Sequence, residues 1–257
     1  FGKHSVGLTL LQSATGYHYE ESSMAAEGIP LESAKWNALS KENVSLLDEW
    51  NSGLIEKQLL SYMFRVNYDY NNKYLLTVSG RWDGASQLAE GNKWAFFPSA
   101  ALGWRLDQEE FLKDVTWLNQ LKFRLGVGVT GNSAIDPYQT KGAIVSLYYP
   151  FGSALAPGYA ASEPLIKDGA VAMANKNLSW EKTTQYNIGL DYSVLNGRIS
   201  GVLDFYTSRT TDLLMAMTIP SLNGYTNTYA NVGKTSNIGV DITLNTVNVK
   251  TVSYTHL

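Results

Sequence analysis

Three sets of residues have types and spacings that could do chemistry. The first is LGVGVTGN (125–132), where Gly126, Gly128 and Gly131 make G-x-G-x-x-G. Such a turn cradles a pyrophosphate when a helix opens at the third glycine and an acidic residue follows about 20 positions on. Here Asn132-Ser-Ala-Ile-Asp-Pro follows, which reads as loop, and the positions near 151 are uncharged. The second set is acidic and basic: Arg65, Asp69, Arg81, Asp83, Arg105, Arg124, Asp191, Asp204 and Asp241. They come without a nucleophile–base pair or a third orienting group, so no catalytic role and no enzyme is expected. The third set is aromatic. Tyr138, Tyr148, Tyr149 and Trp180 lie in one long connection and could stack on sugar rings; a folded cap packing its own aromatics is the alternative. His4, His18 and His256 are scattered and cysteine is absent, so neither a metal site nor a cofactor is expected.

What positions the charged set is strand alternation. In one run Leu60, Tyr62, Phe64, Val66 and Tyr68 oppose Ser61, Met63, Arg65, Asn67 and Asp69. In another, Leu121, Phe123, Leu125, Val127 and Val129 oppose Lys122, Arg124, Gly126, Gly128 and Thr130. Similar runs start near Val6, Tyr74, Trp94, Tyr186, Ile199 and Ile238. That predicts about eight strands with no charge on the apolar face. Asp69–Asn72 and Asn196-Gly197 are tight turns, the latter because both residues tolerate φ > 0. Asp107 and Glu110 have capping-box spacing, which predicts one or two helical turns in 107–117. The long connections are 14–54, 84–92, 131–181 and 212–231. Short and long ends alternate, as in an up-and-down sheet. KENVSLLDEW (41–50) reads as a short amphipathic helix in a loop, and Pro98 predicts a bulge.

Alternation alone suits a soluble or surface-exposed β-barrel or sandwich that binds a ligand, with the apolar face as its core. Three features favour a transmembrane barrel, apolar face to lipid and charged face to a wet lumen. Tyr68, Tyr74, Trp104 and Tyr192 lie near the short turns, and Trp82, Trp94, Phe96 and Tyr186 near the long loops, as two aromatic girdles. Strands of about 10–13 residues exceed the usual ~5–6 of soluble sheets and cross a tilted bilayer. Loop length is strongly asymmetric. The 257 residues carry a net charge of −3, so no basic field invites nucleic acid. Pro150 and Pro157 interrupt the longest uncharged stretch, 142–162, so a spanning helix is not expected.

FRVNYDYNNKYLLTVSGRWDGASQ (64–87), KWAFFPSAALGWRLDQEEFLKD (93–114), LKFRLGVGVTGN (121–132), NKNLSWEKTTQYNIGLDYSVLNGRISGVLDFY (175–206), TTDLLMAMTIPSLNGYT (210–226) and NVGKTSNIGVDITL (231–244) resemble the barrel of the SusC/RagA family of TonB-linked outer-membrane transporters. The resemblance covers roughly 55–250. It implies uptake of oligosaccharides or peptides, a plug domain inside the barrel, a SusD-like surface lipoprotein as lid, energy coupling through TonB, and outer-membrane lipid around the barrel. The family's plug and coupling segment lie upstream of its barrel, and its barrels have about 22 strands. Residues 1–250 are therefore expected to be about eight strands of a larger barrel with extracellular loops. TVSYTHL (251–257) matches no family continuation and is expected to be a non-native tail.

Overall fold

The computed structural model describes residues 2–27, 33, 45–141, 145–152, 154–160, 172–220, 222, 225 and 227–248. Thirteen strands follow in order: β1 (His4–Glu27), β2 (Ser45–Tyr70), β3 (Tyr74–Ala85), β4 (Trp94–Arg105), β5 (Leu118–Asn132), β6 (Val145–Phe151), β7 (Ala154–Ala160), β8 (Ala172–Met173), β9 (Glu181–Val194), β10 (Ile199–Thr211), β11 (Leu214–Thr218), β12 (Asn227–Asn231) and β13 (Lys234–Thr246). The expected eight are the main sheet, in the order β1-β2-β3-β4-β5-β9-β10-β13. Every neighbour in it is antiparallel. The sheet is open, with β1 and β13 as its edges, so the barrel expected from the alternation is not closed here. The other five strands lie within the long connections, as the hairpin β6–β7 and the sheet β11-β12-β8.

The tight turns form for the expected reason. Asn71 and Asn72 have φ 55° and 54°, and Asn196 and Gly197 have φ 56° and 77°. Asn, Asp and Gly enter that region at little cost. The loops are longer than a two-residue hairpin, three residues between Tyr70 and Tyr74 and four between Val194 and Ile199, and the second also carries Leu195 into the region at φ 55°. The 106–117 connection does turn helically, but as two 3₁₀ turns, Leu106–Gln108 and Glu110–Leu112, and neither has a side-chain cap. Asp107 instead accepts hydrogen bonds from Arg105, Gln108 and the Leu121 amide. Glu110 pairs with Lys113.

Pro98 causes no bulge: it faces Gly80 in an unbroken β3–β4 register. The β4–β5 ladder ends next door at Ser99, where a missing N–H costs nothing. Phe97 fills the opening beyond. A Cβ at Gly131 would lie 2.0 Å from its ring, so Phe97 takes the side-chain space of Gly131, which is a strand residue and not the start of a loop.

The first hairpin is longer than the alternation suggested. β1 and β2 pair from His4↔Tyr70 up to Glu27↔Ser45, whereas β2 meets β3 only from Leu59 onward. Residues 45–50, expected in a helix, are strand; 41–44 lie outside the described residues. The physical cause is a loss of constant polarity on each face. Along the row that carries Leu10 and Phe64 lower down, the arm places His18 opposite Glu56; along the row of Thr9 and Arg65 it places Tyr19 opposite Ile55. His18 bridges Glu20 and Glu56 at 3.1 and 3.0 Å. Other pairs keep neither row uniform, since Lys57 stands opposite Tyr17 and Leu54 opposite Glu20, so a search for one constant apolar face stops short.

The apolar face of the main sheet is not a core. Ile238, Ile242, Leu10 and Trp82 are 72%, 70%, 72% and 55% exposed. A soluble sandwich would cover such residues. The buried hydrophobic residues among those described lie instead at the long-loop end: Ala85, Leu88, Ala89, Phe97, Ile135, Leu178 and Trp180.

Candidate functional site

Two aromatic rows border the exposed apolar band. At the short-turn end Tyr70, Tyr74 and Trp104 stack in succession, each pair of centroids 6.3 Å apart. At the long-loop end Tyr62 stacks on Trp94 at 6.2 Å, and Trp82 meets Phe96 edge-on at 6.0 Å. Trp94 and Trp104 are about ten residues apart on β4. At ~3.3 Å per residue and ~40° of tilt that is about 25 Å along a barrel axis, the height of an outer-membrane apolar band. Their polar ends find partners. Glu109 accepts hydrogen bonds from Lys73 Nζ (3.0 Å), Tyr74 Oη (2.8 Å) and Trp104 Nε1 (3.0 Å). These bonds, Lys73's first and then those of Trp104 and Tyr74, hold the Glu109 carboxyl down at about 2. Glu109 thus ties the β2–β3 turn to the β4–β5 connection. Nothing in its spacing marked it out.

On the opposite face the predicted charges lie together. Arg124 on β5 donates from Nε to Asp191 on β9 (2.9 Å) and from its terminal nitrogen to both oxygens of Asp204 on β10 (2.9 and 3.1 Å). Asp204 is two strands away. Gly189 makes the reach possible, because it stands opposite Arg124 on one side and Asp204 on the other. A Cβ at Gly189 would lie 2.4 Å from Asp204 Oδ1 and 2.6 Å from the guanidinium. The glycine is a gap that a side chain crosses. Gly126 and Gly128, by contrast, face nothing closer than 4.0 and 3.4 Å, and they open onto the wall.

Arg81 holds both oxygens of Asp83 (2.7 and 2.9 Å) and reaches Ser61 (3.1 Å). Arg105 pairs with Asp107 at 2.7 Å. Asp241 stands opposite Asp204 on the edge strand but is exposed. Arg65 is exposed and, among the described residues, has no ion-pair partner. It stands in one row with Ser79, Ser99 and Gly128, and the two serine hydroxyls are 2.6 Å apart.

The loop aromatics divide. Trp180 is only 5% exposed, its ring edge-on to Phe97 at 5.2 Å and its Nε1 donating to the Lys93 carbonyl at 2.9 Å. It packs at the centre of a folded cap, the alternative that the sequence left open. Leu88 and Leu178 complete that cap. Asn231 and Ser179 join it to β12 by exchanging two hydrogen bonds of 2.8 Å. Leu88 and Leu178 escaped notice because single apolar residues in loops have no period. Tyr138 is exposed, has φ 72°, and its Oη accepts from the Glu56 amide at 3.2 Å. Tyr148 and Tyr149 lie on β6 opposite Pro157 and Ala156; their side chains lie outside the described residues, as does 251–257.

A family model described as TonB dependent receptor-like, beta-barrel, matches residues 4–256. The chain belongs to this TonB-dependent receptor family. Among curated relatives, TonB-dependent receptor SusC of Bacteroides thetaiotaomicron is 38% identical over 231 residues, 86% of this chain and 22% of that protein. TonB-dependent receptor P26 of Formosa agariphila is 37% identical over 228 residues, 88% of this chain and 22% of that protein. Among solved structures, the RagAB peptide transporter superposes with a TM-score of 0.80 at 26% identity, over 95% of this chain and 26% of the other. The RagAB importer in its open-open state gives 0.81 at 25% identity, over 97% and 26%. The resemblance to SusC/RagA read from the sequence is thus borne out, and this TonB-dependent receptor chain spans about a quarter or less of the length of these relatives.

Proposed function

We propose that the chain is part of the barrel wall of an outer-membrane, TonB-dependent importer of oligosaccharides or peptides, acting with a SusD-like surface lipoprotein and without catalysis. The observation that carries the reading is the exposed apolar band between two aromatic rows, backed by a charged, paired opposite face. A charge at the middle of a lipid-facing band costs roughly 2–4 kcal/mol, which accounts for the absence of charge there. The charged face then looks onto water, where Arg124, Asp191 and Asp204 stitch three strands together. Further strands of the protein would meet the edges β1 and β13, and Arg65, Arg81, Asp83, Arg105, Arg124, Asp191, Asp204 and Asp241 would face the lumen and the plug within it. Family membership supports the TonB-dependent role and the match to the RagAB peptide transporter supports peptides as a substrate class, while the SusC/RagA resemblance implies the oligosaccharides and the lipoprotein partner.

The test is genetic and biochemical together. The full-length protein should fractionate with the outer membrane, and deletion of its gene should abolish growth on one polymeric nutrient. Unchanged uptake of every glycan and peptide offered would overturn the reading.

A further inference from the structure

The charged face carries a cavity of about 520 Å³ toward its long-loop end, lined among others by Arg65, Arg81, Ser79, Ser99, Met63 and Phe97. We propose that this cavity is a subsite for a carboxylate on the incoming substrate, with Arg65 as its binding group. This rests on the import reading above.

The arginines of the charged face differ in one respect. Arg81, Arg105 and Arg124 each hold an aspartate. Arg65, among the described residues, holds none. Within the cavity two guanidinium groups face one carboxylate, Asp83, and that carboxylate is already gripped through both oxygens by Arg81. The local charge is therefore positive, and among the described residues nothing occupies the donors of Arg65. A carboxylate is the group such a fork binds best, through two parallel bonds. Beside Arg65, Ser79 and Ser99 stand on the next two strands of the same row; one hydroxyl donates to the other, which leaves one proton of the pair for a ligand. Gly128 ends the row on β5 and leaves space there, with Ser99 Cβ 3.4 Å from where a side chain would begin. Met63 and Phe97 supply an apolar floor, so the part of a ligand behind its carboxylate can lie against carbon. The cavity lies toward the long-loop end, from which substrate arrives, since Asn132, Ser133 and Trp180 share its lining.

The carboxylate could belong to a uronic acid or to a peptide C-terminus, and the probes separate the two. The purified full-length protein in detergent is titrated with a uronate-containing oligosaccharide and its carboxyl-reduced counterpart, and with short peptides bearing a free or an amidated C-terminus. In one of the two pairs the acidic member should bind at least tenfold more tightly. Arg65→Gln should remove that preference while changing affinity for the neutral member less than twofold, and Arg65→Lys should restore part of it. Equal affinity of the wild type for both members of each pair, with one of them bound, would overturn the subsite, as would equal weakening of acidic and neutral probes by Arg65→Gln. An importer that takes up neutral substrates but ignores Arg65 would sink the subsite alone; a protein that takes up nothing would sink the import reading beneath it.

Discussion

Gly189→Ala should weaken the wall although glycine is a poor strand residue. An interior glycine costs about 0.5–1 kcal/mol relative to alanine, so propensity alone makes the substitution stabilising. The geometry reverses the sign. A Cβ at position 189 would lie 2.4 Å from Asp204 Oδ1 and 2.6 Å from Arg124, so the crossing bond must break. A bond between charged groups contributes about 1.5–3 kcal/mol when shielded and below about 1 when exposed. Arg124, Asp191 and Asp204 are 31%, 23% and 22% exposed, between those limits, so about 1–2 kcal/mol is at stake for Asp204. Gly189→Ala should then destabilise the wild type by about 1 kcal/mol, yet stabilise an Arg124→Ala/Asp204→Ala background, which lacks both groups the Cβ would meet, by about 0.5 kcal/mol. The assay is a double-mutant cycle on the full-length protein, unfolded by guanidinium in lipid vesicles. A neutral or stabilising effect of Gly189→Ala with Arg124 present would refute the crossing.

Three further outcomes follow from the same structure. Glu109 titrates at about 2 in the fold against an ordinary value of 4.5. Its depressed value adds stability that is complete above about 4.5 and is lost as pH falls toward about 2; in acid unfolding of the full-length protein Glu109→Gln should flatten that part of the profile, and an unchanged profile would count against the knot. Trp180→Ala should cost the cap about 3–5 kcal/mol, as for other large buried aromatics. Hydrogen exchange should then speed up at the Ala89 amide, bonded to Leu178, and the Ser179 amide, bonded to Asn231, while the amides of β3 stay protected.

The main sheet was legible in the sequence because each of its strands repeats one simple pattern, and the turns were legible because Asn71-Asn72 and Asn196-Gly197 can enter the left-handed region. Three things were hidden for physical reasons. The arm above Leu59 has no uniformly apolar face, as His18 and Leu54 in one row and Tyr19 and Lys57 in the other illustrate. The Arg124–Asp204 bond joins residues 80 positions apart through a glycine that sequence presents only as small. Trp180 was legible as aromatic but not as buried, since its neighbours Phe97 and Leu178 come from separate segments. Pro98 misled in the other direction: its missing donor is harmless because the neighbouring ladder has already ended.

The central claim is that one face of this sheet touches lipid and the other water. The stretch contains no cysteine, so single cysteines are easily introduced. Spin labels placed one at a time at residues 124–129 of the full-length protein in bilayers would read each environment directly. The account predicts a period of two: labels at Leu125, Val127 and Val129 accessible to oxygen dissolved in lipid, and labels at Arg124, Gly126 and Gly128 accessible to a water-soluble nickel chelate. Uniform accessibility to the chelate along the whole run, or the same alternation with the faces exchanged, would contradict it.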